Sequence, residues 1–170
     1  MLNIRVAGKP DAALIADLSR QTFYDTFHAQ NTAENMKKFL DEQFTRELLI
    51  REVGAPDNIF LLAFDDDSPA GYVRMRENNI PPGLGTHHAI EIARIYVVKS
   101  HIGRGIGARL MQRCLDLAKE LGYKTLWLGV WEHNQTALAF YHKWGFTKFS
   151  EADFILGDDV QRDWLLKKEI

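Results

Sequence analysis

Ile92 to Leu121 reads IARIYVVKSHIGRGIGARLMQRCLDLAKEL, and the rest of the chain is arranged around it. The run Ile92-Ala93-Arg94-Ile95-Tyr96-Val97-Val98 is β-branched and aromatic, the composition of a strand covered on both faces. Glycines then fall at every second position: Gly103, Gly105 and Gly107. Beyond them Ile106, Leu110, Cys114, Leu117 and Leu121 recur at steps of four or three, which predicts a helix with one apolar stripe.

Strand, glycine loop and helix start, in that order, make a place for an anion. The first turn of a helix carries backbone N–H groups without partners, and its dipole puts partial positive charge there. Glycines let a phosphate approach those groups with no Cβ in the way, and Arg104 adds a charged donor. The alternative is a tight turn with no ligand. Gly103-Arg104-Gly105-Ile106-Gly107-Ala108 also fits the dinucleotide pattern G-x-G-x-x-A, with Glu132 ahead as a ribose acid. Two features weigh against that fit. Lys99-Ser100-His101-Ile102 separate the first glycine from the strand, and only 63 residues follow Gly107, too few for further βα units.

The loop resembles the acyl-CoA loop of the GNAT superfamily of N-acetyltransferases, Q/R-x-x-G-x-G/A, over Ile102-Gly103-Arg104-Gly105-Ile106-Gly107. Ile102 stands where the family usually has Gln or Arg, which removes a polar contact at the rim and leaves the backbone cradle. The second half follows the same order, with a strand at Thr125–Val130 and then Asn134-x-x-Ala137-x-x-x-Tyr141-x-x-x-Gly145-Phe146. The resemblance implies an α/β GNAT fold. Its mixed sheet of about seven strands has helices on both faces, and its two central parallel strands splay apart around the pantetheine arm. It places Ile95, Tyr96 and Val97, the loop from Ile102 to Ala108, and Asn134, Ala137 and Tyr141 against acetyl-CoA. The backbone of Ile95 and Val97 would bond the arm as if it were another strand.

A more specific likeness spans nearly the whole chain. Thr22-Phe23-x-Asp25-Thr26-Phe27-x-x-Gln30-Asn31-x-x-Glu34-Asn35-Met36, Ala70-Gly71-Tyr72-Val73 and Trp127-Leu128-Gly129-Val130-Trp131-Glu132 resemble the bacterial PaiA-type polyamine N-acetyltransferases. That likeness implies acetylation of spermidine or spermine. Other amines (a protein N-terminus, an aminoglycoside, an amino acid) stay open, as does a sensor that binds acyl-CoA without turnover.

Acetyl transfer from a thioester to an amine needs a deprotonated nucleophile, a polarised carbonyl, alignment and an acid for the leaving thiolate. Tyr141, two helical turns beyond Asn134, is the expected acid, because a phenol with pKa near ~10 is protonated at neutral pH. Asn134 can cap its helix and also meet the arm. The resemblance makes Glu91 the expected base, since the family often has a carboxylate on this central strand, and strand alternation sets it with Ala93, Ile95 and Val97 along one face. Asp25, Glu34 and Glu132 are the expected carboxylates for a cationic substrate, with Trp131 offering an aromatic face. Each has a plainer alternative: a core Tyr, a Glu paired with a cation, solvated surface acids.

Composition bounds the rest. The 170 residues predict one domain, 1–170, with 46% hydrophobic content and no apolar run of membrane length. The start Met1-Leu2-Asn3-Ile4-Arg5 lacks a signal-peptide pattern, and the lone Cys114 falls on the helix stripe, so a cytoplasmic protein is expected. Net charge is −2, which gives no footprint for nucleic acid. The first 90 residues carry nine Lys/Arg against 13 Asp/Glu and the remainder 12 against 10, so the basic half holds the cradle. The adjacent His87 and His88 lack further ligands, and no metal is expected. The sequence leaves room for a homodimer.

Overall fold

The computed structural model describes residues 1–170. Seven strands form one sheet in the order β1-β2-β3-β4-β5-β7-β6. The strands β1 (Leu2–Val6), β2 (Asn58–Asp65), β3 (Ser68–Arg76) and β4 (Ala89–Val97) form an antiparallel run. Then β5 (Thr125–Trp131) lies parallel to β4, and β7 (Asp159–Glu169) is inserted between β5 and β6 (Thr147–Leu156). Helices α1 (Ala12–Phe27), α2 (Ala33–Glu42) and α3 (Arg46–Glu52) cover one face, and α4 (Ile106–Glu120) and α5 (Gln135–Lys143) the other. This is the mixed α/β architecture expected of the GNAT fold.

The face beneath α4 holds the largest core. Leu110, Met111, Cys114 and Ala118 are fully buried there against Val73, Met75, Ile90, Ile92 and Leu128. Each buried Leu, Ile, Val or Met side chain among them contributes roughly 1.5–3 kcal/mol by leaving water. The predicted stripe stops one turn early. Leu121 is 47% exposed, because the helix ends there and Gly122, with φ +85°, takes the left-handed turn that no side chain favours. On the opposite face Phe23, Phe39 and Phe44 stack among α1, α2 and α3, and Leu156 of β6 closes that cluster.

Two irregularities shape the centre of the sheet. In the β3–β4 ladder Arg74 faces Arg94 while the next residue, Met75, faces Ile92, so Ala93 is an extra residue in β4. A bulge inverts the alternation of side chains beyond it. Ile90, Ile92, Ile95 and Val97 therefore all reach the α4 face, whereas Tyr96 packs with the α1 cluster. The expectation that Glu91 shares a face with Ile95 and Val97 is corrected by that single extra residue. The second irregularity is the early end of the β4–β5 ladder. Only Ala89–Thr125, Ile90–Leu126 and Glu91–Trp127 pair, although β4 runs on to Val97 and β5 to Trp131.

Candidate active site

The gap between β4 and β5 opens into a cleft of about 990 Å³. Its walls come from β4, the glycine loop, the first turn of α4, β5, α5, α1 and the β6–β7 hairpin. The edge of β4 facing the gap is unpaired beyond Glu91. Val98 N–H donates to the Ala70 carbonyl at 2.8 Å, so by antiparallel alternation the backbone groups of Ile95 and Val97 point away from β3 and into the gap. An unpaired strand edge in an apolar cleft needs a partner.

The cradle lies at one end of the gap. Gly103 and Gly105 adopt φ of +87° and +77°, and a Cβ built on either meets nothing within 4 Å. Gly105 caps α4 without any side-chain hydrogen bond, and the first turn carries no acidic residue. The N–H groups of Ile106, Gly107 and Ala108 are thus left for an anion. Gly107 differs from them. It is helical, and a Cβ there would make only ordinary contacts with Phe140 and Val97, at 3.7 and 3.8 Å, where α4 meets α5 and β4. The donor set fits a diphosphate followed by an extended amide arm. Arg104 leans on Asp65 at 3.3 Å, and Ile102 is 66% exposed at the rim.

Tyr141 lines the cleft from α5, with its ring against Phe140 and Phe146. Burial raises its hydroxyl above the ordinary phenol value, which keeps the proton on oxygen at neutral pH. Asn134 caps α5, its Oδ1 accepting from Ala137 N–H at 3.2 Å, and both residues line the cleft.

The other end of the cleft is aromatic and acidic. Phe27, Phe44, Trp131 and Phe154 line it together with Asp25, which takes a hydrogen bond from Gln21 Nε2 at 2.9 Å. Glu34 and Glu132 do not line it. Glu34 lies exposed in the first turn of α2, and Glu132 turns to His133 at 3.3 Å. Glu91 is also outside the cleft. It sits buried where β4 and β5 are still paired, held by Arg76 Nε at 2.6 Å and Asn79 Nδ2 at 3.0 Å. A carboxylate so partnered is part of the sheet's polar packing, and the bulge at Ala93 turns it from the Ile95 and Val97 side. The sequence reading missed Arg94, Gln161 and Asp163, all of which line the cleft.

Asn31 and Asn35, which belong to the stretch that resembles the PaiA-type enzymes, are ties between elements. Gln161 Nε2 donates to Asn31 Oδ1 at 2.7 Å, and Asp158 N–H to Asn35 Oδ1 at 3.1 Å. They tie α2 and the segment just before it to the β6–β7 hairpin.

A seven-stranded sheet that parts between β4 and β5, with an anion cradle at the α4 N-terminus, defines an acyl-CoA-dependent transferase of GNAT architecture. The sequence model of the Acetyltransferase (GNAT) family matches residues 17–146. An uncharacterized N-acetyltransferase from the pepI 3′ region of Lactobacillus delbrueckii subsp. lactis is 39% identical over 167 residues, covering 98% of this chain and 96% of that one. The N-alpha-acetyltransferase 30 of Schizosaccharomyces pombe is 25% identical over 126 residues, 74% of this chain and 82% of that one. Among solved structures, the PaiA N-acetyltransferase of Thermoplasma acidophilum in complex with coenzyme A superposes with a TM-score of 0.80. It is 21% identical and covers 100% of this chain and 99% of that one. The chain belongs to the acetyltransferase (GNAT) family and is an N-acetyltransferase with acetyl-CoA as its donor. No helix is long and apolar enough to cross a membrane.

Proposed function

We propose that this enzyme acetylates a primary amine of a small cationic acceptor, of which spermidine and spermine are the leading candidates. The observation that carries the reading is the parting of β4 from β5 after the Glu91–Trp127 pair, next to a bare α4 N-terminus. Acetyl-CoA supplies an activated acetyl group at a thioester. Gly103 to Ala108 hold its diphosphate, Ile95 and Val97 bond its amides through their backbone, and Tyr96, Asn134 and Ala137 line its path. Tyr141 gives its proton to the sulfur as the C–S bond breaks.

At the acceptor end, Phe27, Phe44 and Trp131 present aromatic faces to an alkylammonium chain, and Asp25 presents a carboxylate. That combination favours a cationic acceptor over an acidic or neutral one. The likeness to an N-alpha-acetyltransferase keeps a second acceptor in view, the free N-terminus of a peptide. A panel of spermidine, spermine, an unacetylated peptide and an aminoglycoside, assayed with acetyl-CoA for release of free thiol, tests the choice. The highest kcat/KM is expected for a polyamine. Turnover of the peptide alone would replace the acceptor, and no thiol release with any acceptor on the panel would leave only a binding protein.

A further inference from the structure

Asp163 is a cleft carboxylate with no partner. It stands on β7 opposite Trp131, in register, and its side chain lines the acceptor end. Burial pushes its carboxyl up to about 6, with no neighbouring charge contributing. The other titratable groups around the cleft are engaged or distant in role. Arg94 on β4 gives two nitrogens to Glu52 at 2.8 and 2.9 Å. Arg162, the preceding residue on β7, pairs with Glu151 at 2.7 Å. Asp25 on α1 holds Gln21. Tyr96 on β4 and Tyr141 on α5 are kept protonated by burial, while Lys99 and His101 line the glycine-loop end.

The strand beside Asp163 leaves room in front of it. Gly129 is the one exposed residue in the run Thr125–Val130 of β5. A Cβ there would lie 3.6 Å from Asp163 Oδ2 and 3.4 Å from Leu165 Cδ2, so the bare backbone keeps the approach to the carboxylate open. A carboxylate half-withdrawn from water, without a donor from its own chain, is destabilising to the fold. Such a group is retained where its partner arrives from outside.

Resting on the acetyltransferase reading and deepening it, we propose that Asp163 is the general base, which docks the acceptor's ammonium group and takes its proton. Asp163 and Tyr141 come from opposite faces of the parted sheet: Asp163 shares a face with its register partner Trp131, while Tyr141 belongs to the core beneath α4. The proton balance follows. One ammonium proton passes to the Asp163 carboxylate, and the freed lone pair forms the N–C bond to the acetyl carbon. As the C–S bond breaks, the sulfur takes the Tyr141 proton. The second proton shed by the new amide nitrogen restores Tyr141, and Asp163 releases its own to solvent.

The base works ionised, so kcat/KM for a polyamine should fall as pH drops through about 6. Stability moves in the opposite sense. A carboxyl whose folded value is raised opposes folding in its charged form, an opposition absent below its unfolded value and complete above its folded one. Asp163→Asn should therefore raise the melting temperature more at pH 8 than at pH 5. The same variant should lose about 100-fold or more in kcat/KM at pH 7.5 and lose the limb near pH 6, with the acetyl-CoA Kd unchanged. Asp163→Glu should recover part of the rate and the limb. An Asp163→Asn enzyme with wild-type turnover and an intact limb would overturn the base while leaving the acetyltransferase reading standing. A variant that melts lower at pH 8 and binds acetyl-CoA poorly would make Asp163 structural. Should the wild-type enzyme turn over no amine, the acetyltransferase reading fails and takes this assignment with it.

Discussion

The two ends of the cleft are built from very different amounts of chain. The donor end is local: β4, the glycine loop and the first turn of α4 follow one another, and α5 adds Asn134 and Tyr141. In the proposed binding mode its main working parts are backbone groups, so side-chain identity matters chiefly where a Cβ would intrude. The acceptor end is assembled from α1, α2, β5, β6 and β7, and its working parts are side chains. It is held together by long-range ties such as Asn31–Gln161 and Asn35–Asp158. The difference teaches that one end can take a constant ligand while the other is free to change its guest. Substitutions at the acceptor end should alter which amine reacts without touching how the donor binds.

That separation can be broken or sharpened by measurement. Tyr141→Phe should show the largest effect, a fall in kcat of about 100-fold or more with acetyl-CoA affinity within about twofold. Equal losses in both would make Tyr141 a packing residue, and donor and acceptor chemistry would no longer separate. Gly105→Val puts a β-branched residue at φ +77° and a side chain into the cradle. Calorimetry should find CoA binding weaker by about 10- to 100-fold, with the acceptor preference retained. Asp25→Asn should act on the other end only. Its KM for a polyamine should rise by about fivefold while the CoA Kd stays the same. An equal change for a neutral amine would remove Asp25 from cation binding. The smallest effect on turnover is expected for Glu91→Gln, which weakens the contact to Arg76 Nε. Denaturant titration should record a loss of about 1–2 kcal/mol, with kcat within about twofold of wild type.

The donor end was legible because it is contiguous. A strand-like run, glycines at alternate positions and a helix stripe identify an anion cradle without any long-range contact. Asn134 and Tyr141 stood out through the resemblance to the GNAT spacing Asn134-x-x-Ala137-x-x-x-Tyr141, and the structure lines the cleft with both. The acceptor end resisted for three physical reasons. The bulge at Ala93 inverts the alternation that made Glu91 look like a neighbour of Ile95, and no residue type near it announces the insertion. Glu34 and Glu132 were chosen as acids near aromatic motifs, but the turns they occupy face solvent or His133. Asp163 went unnoticed because Gln161-Arg162-Asp163-Trp164 reads as ordinary strand alternation. One signal was available: Asp is depleted in strands, and this one directly precedes the strand run Trp164-Leu165-Leu166.

Cys114 marks the boundary between packing and chemistry in the same core as Tyr141. Burial pushes its thiol up to about 12, so it is held as an uncharged core side chain under α4. The neighbouring phenol is raised by the same burial but lines the cleft, where the proposed transfer would draw on its retained proton.

Amide hydrogen exchange with and without coenzyme A tests the central claim most directly. Binding should slow exchange at the Ile95 and Val97 N–H groups and at Ile106 to Ala108, while the already paired Glu91–Trp127 end of the ladder stays as it was. Protection confined to other strands, or none at Ile95 and Val97 under saturating coenzyme A, would mean that the gap between β4 and β5 is not where the donor lies.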